Sequence, residues 1–192
     1  MRVGGKWAYV CLLIDLANRS IAGHSADTGR TADLVMAAFA TLDFPLTEVE
    51  VFHTDRGSEF DNTRIDELLD VFDIRRSLSR KGNPYDNAVV ESTNRLLKKE
   101  LIYRNHYTSL EQLRSDLNDY VWWFNNQRLH STLGYRSPKE FTEQDSSSKE
   151  PVQHYRSTNP SRPVHEPQGQ LPDNAATEQV FGHLKDEFYR AA

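Results

Sequence analysis

The chain has 192 residues, 38% of them apolar, and one cysteine, which is enough for one domain with a real core plus something further. A lone cysteine excludes an internal disulfide and a thiolate metal cluster, and fits a reducing, cytosolic compartment. A formal charge of −5 excludes a uniformly basic nucleic-acid coat, and the apolar run at residues 7–14 is too short to span a bilayer.

Taken in chain order, that run reads as a strand over residues 7–15, preceded by a Gly4-Gly5 turn. Arg2 and Lys6 before it also fit a signal peptide, but no small-residue cleavage site follows, so a buried strand is the preferred reading. Asn18-Arg19 marks a second turn, and residues 20–26 its hairpin partner. Leu34, Val35, Ala38, Phe39 and Leu42 have helical spacing from Thr31 onward, and Pro45 ends that helix. Residues 49–52 form a third strand that delivers Asp55 to its end, where Gly57 lets the chain turn. A short helix over residues 65–72 and an extended piece over 74–78 follow. After a polar loop at 79–85, a long helix is expected from about 87 to 103, with Asp86 as its N-cap. The next helix, from about 110 to 125, carries the apolar stripe Leu113, Leu117, Tyr120, Val121 and Phe124, with Trp122 and Trp123 widening it as core or interface anchors.

Beyond Phe141 the composition turns polar and proline-rich. Residues 1–142 are expected to form the core and 143–172 a flexible linker. In residues 173–192, Asp173-Asn-Ala-Ala-Thr-Glu178 mirrors Asp86-Asn-Ala-Val-Val-Glu91, and Leu184, Lys185 and Glu187 match Leu97, Lys98 and Glu100 in register. The tail therefore reads as an isolated second copy of the Glu91 helix.

Two acids carry the chemistry. Asp55 lies in His53-Thr-Asp-Arg-Gly-Ser-Glu59 and Glu91 opens the long helix, with 35 residues between them. A carboxylate at a strand end and another in a first helical turn can share a hard divalent cation, and paired Mg²⁺ or Mn²⁺ ions suit in-line displacement at phosphorus. His53 shares a face with Asp55, either supporting it or merely half-buried. Between residues 75 and 104 eight basic side chains stand against three acidic ones, which fits a phosphate-backbone partner or a solvated helix face. Glu91, Arg95, Lys98 and Ile102 lie along one side of the helix. Arg95 and Lys98 can grip DNA phosphates beside the site, with Arg80 and Lys81 on the preceding loop, while Glu91–Arg95 can equally form an ordinary intrahelical pair worth ~0.3–0.5 kcal/mol.

Residues 7–142, about seventy per cent of the chain, resemble the catalytic core of bacterial insertion-sequence transposases of the retroviral-integrase-like DDE superfamily. The carrying segments are residues 9–23, His53-Thr-Asp-Arg-Gly-Ser-Glu59, Ser79-Arg-Lys-Gly-Asn-Pro-Tyr-Asp-Asn-Ala-Val-Val-Glu91, and Asn126-Gln-Arg-Leu-His-Ser-Thr-Leu-Gly-Tyr-Arg-Ser-Pro138. The resemblance implies an RNase H-like α/β fold and DNA cleavage and strand transfer with Mg²⁺ or Mn²⁺. Two ions are implied in an intact site, with Asp55 as the family's second acid and Glu91 as its third. It implies as partners the DNA of transposon ends and target and a homo-oligomer with full-length transposase. It implies a bacterial cytoplasmic, nucleoid-associated setting and no membrane.

The departure is at the front. The family's first acid lies on a strand before the Gly4-Gly5 turn, upstream of Met1, so the resemblance implies an RNase H-like integrase core lacking most of its first central strand. The acid set is then incomplete and activity in doubt. Asp15 aligns with the end of the second strand, not with a metal ligand. Losing a central strand would expose two sheet edges and make the chain marginal or aggregation-prone. The alternative function is a non-catalytic DNA-binding or subunit-interaction fragment of a transposase. A third reading is a free-standing RNase H-like nuclease.

Overall fold

The computed structural model describes residues 1–80, 87–148 and 179–183. Its centre is the apolar run. Strand β3 (Tyr9–Asp15) is buried almost throughout, and its side chains alternate between two cores: Val10, Leu12 and Ile14 enter one, Cys11 and Leu13 the other. A strand covered on both faces reads as a continuous hydrophobic segment rather than as an alternating one. Ahead of it, β1 (Arg2–Val3) and β2 (Lys6–Trp7) form a small hairpin. Its turn places Gly4 and Gly5 at positive φ, and a Cβ on Gly4 would stand 2.6 Å from the Thr108 carbonyl oxygen. β4 (Ile21–Asp27) pairs antiparallel with β3, with a register shift between Leu13 and Ile14.

Helix α1 (Ala32–Phe39) and helix α2 (Thr63–Val71) cover one face of the sheet through Leu34, Val35, Ala38, Phe39, Ile65 and Leu69. Between them β5 (Val51–Thr54) runs parallel to β6 (Arg75–Leu78), with α2 as the crossover. Phe52 is fully buried against Phe39 and Phe60, a burial worth about 1.5–3 kcal/mol. Helices α3 (Ala88–Glu100) and α4 (Leu110–Asn126) cover the other face. Leu113, Leu117, Tyr120, Val121 and Phe124 of α4 are all buried, as their spacing predicts. Trp122 and Trp123 are not core anchors: they are 58% and 37% exposed. The expected N-cap of α3 moves by one. Asn87 holds that position without a side-chain bond, and Asp86 lies outside the described residues.

Two boundaries differ from the sequence expectation. Helix α5 (Pro138–Ser148) extends six residues into the expected linker. Its start explains why: the Ser137 hydroxyl accepts the Glu140 N–H (3.2 Å) while the Glu140 carboxylate accepts the Ser137 N–H (2.9 Å). This reciprocal cap, with proline at the first helical position, launches a helix strong enough to absorb the polar residues that follow. Residues 149–172 of that linker lie outside the described residues.

The second difference is larger. Residues 179–183 are not helical but form strand β7 (Gln179–His183), which lies between β3 and β5, giving the order β4-β3-β7-β5-β6. β7 runs antiparallel to β3, from Cys11↔His183 to Asp15↔Gln179, and parallel to β5 at His53↔Val180. The two expected open edges are therefore paired. Ladder bonding to two waiting strands outweighs the local helical pattern, because unpaired backbone groups beside a core are costly. The remaining residues of the expected tail helix, 173–178 and 184–192, lie outside the described residues.

Candidate active site

Asp55 follows β5 directly. Because Phe52 points into the core under α1 and α2, strand alternation turns His53 to the opposite face, the side that α3 and α4 cover, and the same alternation carried past Thr54, the last residue of β5, would put Asp55 on that side. His53 is tied at both ring nitrogens, to the Ser77 hydroxyl (Nδ1, 2.8 Å) and the Ser79 hydroxyl (Nε2, 3.1 Å). Ser79 also donates its backbone N–H to the Thr54 carbonyl (2.9 Å). The histidine thus braces β5 against the chain that leads toward α3.

The half-buried Asp55 carboxylate accepts the Gly57 N–H at 2.8 Å, closing a tight turn. Glu59 folds back beneath this turn. Its side chain is 2% exposed and lies 3.6 Å from the Arg30 guanidinium. A Cβ on Gly57 would stand 2.8 Å from the Glu59 carboxyl atoms. Glycine here makes room for a buried carboxylate that braces the turn carrying Asp55. Sequence reading gave Glu59 no role; its one signal was the spacing Asp-x-Gly-x-Glu.

Glu91 sits in the first turn of α3, exposed, beside the buried row Val90, Thr93, Asn94 and Leu97. A carboxylate at this helix end is favoured by the helix dipole. Val90 and Leu97 pack with Val10, Leu12 and Ile14 in one core, so α3 lies on the sheet face toward which Asp55 turns. Both carrying elements flank β7: β5 pairs with it and α3 runs against it. Of the expected DNA-contacting cations, Arg95 and Arg80 are exposed and Lys98 is half-buried, while Lys81 lies outside the described residues.

Asp15 is elsewhere. It is level with Gln179 in β7, whereas continuing the β5 register by two residues puts Asp55 level with Gly182. At strand spacings that is about 10 Å along the sheet and about 10 Å across it. The Asp15 carboxylate instead accepts the Ala17 N–H (2.8 Å) in the β3–β4 turn. Burial raises its carboxyl above the ordinary value, against the lowering effect of its backbone hydrogen bonds and Arg19.

The far end of α3 is anchored by the segment 126–138. Arg128 donates from Nε to both Glu100 oxygens (3.1 and 3.0 Å) and from Nη2 to one (2.8 Å), and the Tyr120 hydroxyl donates to the other at 2.9 Å. Burial pushes the Glu100 carboxyl up, but the hydrogen bonds from Arg128 and Tyr120 prevail and hold it below its ordinary value. His130 packs edge-on against Phe124 at 4.7 Å. Burial, reinforced by the Arg128 charge, pushes its imidazole down to about 4. Gly134 and Tyr135 both take left-handed conformations and close the loop, with the His130 and Tyr135 N–H groups donating to the Arg136 and His130 carbonyls. The motif thus buckles the Glu91 helix to α4.

The comparisons with known proteins agree with this architecture. Two integrase core domain families match, one over residues 1–84 and the other over residues 72–138. The transposase for insertion sequence element IS904 of Lactococcus lactis is 34% identical over 142 residues, covering 72% of this chain and 56% of that protein. Transposase InsF for insertion sequence IS3fB of Escherichia coli K12 is 34% identical over 151 residues, covering 76% and 51%. The chain thus spans about half the length of the curated relatives it matches. Among solved structures, the catalytic core domain of BIV integrase superposes with a TM-score of 0.53 at 20% identity, over 78% of this chain and 94% of that one. The simian T-cell lymphotropic virus intasome in complex with PP2A regulatory subunit B56 gamma gives 0.60 at 15% identity, over 93% and 63%. At these identities the likeness establishes the fold, that of retroviral integrase cores, mixed α/β and RNase H-like. No helix among the described residues is long and apolar enough to cross a membrane. The chain belongs to the family of insertion-sequence transposases with an integrase-like core.

Proposed function

We propose that this chain carries a metal-dependent centre for DNA cleavage and strand transfer, with Asp55 and Glu91 as its carboxylates. The observation that supports this most directly is the shared side of the sheet. Asp55 turns toward the face that α3 covers, and α3 carries Glu91 in its first turn. The donor set suits Mg²⁺ or Mn²⁺: both groups offer hard oxygens, and neither is fully buried, so an ion could keep several waters. Held by Asp55 and Glu91, such ions, two in an intact site, would supply charge neutralisation for displacement at a phosphoryl group. The protein's own contribution is positioning. The Gly57 N–H fixes Asp55, the packed row of α3 orients Glu91, and Arg80, Lys81, Arg95 and Lys98 hold phosphates of the DNA backbone. The partners in this reading are transposon-end and target DNA, with a homo-oligomer that includes full-length transposase, in the bacterial cytoplasm at the nucleoid.

A second reading is a DNA-binding or subunit-interaction unit that does not cleave. One observation favours it: eight basic side chains stand against three acidic ones between residues 75 and 104, and contacts of that kind to a phosphate backbone need no metal. The experiment incubates the full chain with labelled duplex oligonucleotides and Mn²⁺ and resolves cleaved and joined strands on denaturing gels. The first reading expects activity that EDTA, Asp55→Ala and Glu91→Gln each abolish. Activity surviving in Asp55→Ala overturns it, and metal-independent DNA binding without cleavage supports the second.

A further inference from the structure

The middle of the sheet is built from the far end of the chain. β3 and β5 do not pair with each other; each pairs with β7. The slot between them is bounded by fully buried residues, Leu12, Leu13 and Ile14 on one side and Phe52 on the other. Left vacant, it would present two rows of unpaired backbone groups between two hydrophobic cores.

We propose that this slot is a strand-acceptor site and that Gln179–His183 of the same chain is its occupant. The tail supplies the central backbone pairing of the sheet without adding a carboxylate beside Asp55. The pairing itself is five residues long on β3 and joins β5 in parallel, so one short strand welds the hairpin β3–β4 to the pair β5–β6. None of Gln179, Val180, Phe181, Gly182 and His183 is acidic, and Gly182 is the residue level with Asp55. Occupation from within the chain is favoured over donation by a second copy. Residues 149–178 span up to about 100 Å when extended, so reach is no constraint, and pairing within one chain does not depend on protein concentration. This inference rests on the sheet and not on the proposed chemistry, so either can fail alone.

The single cysteine makes it testable. Cys11 is the Cα partner of His183 on one side and of Ser25 on the other, and direct cross-strand partners fall within the Cα separation that a disulfide spans. The full chain carrying His183→Cys is oxidised under native conditions beside a Ser25→Cys control, followed by non-reducing electrophoresis and peptide mass mapping. Burial raises the Cys11 thiol, which slows thiolate chemistry, and the control calibrates that handicap. The expected result is an intramolecular cross-link in His183→Cys reaching at least half the yield of the control. Cross-linking in the control alone overturns the slot's occupant, and a disulfide-linked dimer in His183→Cys overturns its intramolecular origin. A second measurement avoids disulfide geometry. Val180→Pro removes a ladder donor, and the amides of Leu12 and Ile14, which alternation turns toward β7, should then exchange with deuterium at least tenfold faster, while α4 and Asp15, whose N–H donates to the Ser20 carbonyl, are unchanged. Unaltered exchange at Leu12 and Ile14 overturns the proposal.

Discussion

Replacing Arg128 with alanine tests the buckle at the end of the Glu91 helix. The guanidinium makes three N–H contacts to Glu100 and lies 5.5 Å from the centre of the Phe124 ring. The two side chains are 17% and 20% exposed. A fully buried pair broken on one side costs about 3–5 kcal/mol, an exposed one ~0–1 kcal/mol. Glu100 keeps Tyr120 as a donor and gains some water, so the loss should be about 2–3 kcal/mol, lowering Tm by roughly 4–12 °C for a chain of this size. Urea denaturation followed by circular dichroism measures it. The pH dependence gives an independent check. The Glu100 carboxyl is depressed in the folded state, so the unfolded chain binds the proton first as pH falls, and the stabilisation is complete only above the ordinary value of 4.5. The deficit of Arg128→Ala should be full at neutral pH and shrink as pH drops below that value. A loss under about 0.5 kcal/mol, the scale of an exposed pair, or a deficit that does not change with acid, would refute the reasoning.

His130 should make the chain acid-sensitive at a higher pH. Its imidazole is pushed down from 6.5 to about 4, so the unfolded state takes up the proton first and stability falls as pH drops from 6.5 toward 4. His130→Gln should flatten that segment of the urea-midpoint profile. Gly57→Ala should cost about 1–3 kcal/mol through overpacking against Glu59, read as a lower Tm, and should weaken Mn²⁺ binding measured by calorimetry if the turn positions Asp55. Ser137→Ala removes the reciprocal cap of α5 and should cost about 1 kcal/mol in chemical denaturation, whereas Ser137→Asp should restore most of it.

The sequence made the core legible wherever a residue's neighbours in space are set by its neighbours in the chain. The continuous apolar run of β3, the helical stripe of α4 and the strand that ends at Asp55 follow from periodicity. The likeness of residues 173–178 to the segment that ends at Glu91 led to the expectation of a helix, but what the described part of the tail does depends on β3 and β5, more than a hundred residues away. The serine-rich end of α5 reads as linker unless the cap at Ser137 and Glu140 is weighed together with the proline between them. Trp122 and Trp123 look like core because tryptophan is large and apolar, yet the faces they occupy are set by a rotation fixed by Leu113, Leu117 and Phe124. The Glu100–Arg128 pair had no local signal, since the two lie on different elements and meet through tertiary packing alone.

The strand order has a consequence for synthesis. β6 ends at Leu78 and β7 begins at Gln179, so at roughly 5–20 residues per second a ribosome takes about 5–20 s to deliver the second after the first. During that interval the pairs β3–β4 and β5–β6 lack the β7 ladder and meet only through the core beneath α1 and α2, among the described residues. Such late, long-range closure makes for slow folding and a window in which chaperones or neighbouring nascent chains can engage the gap.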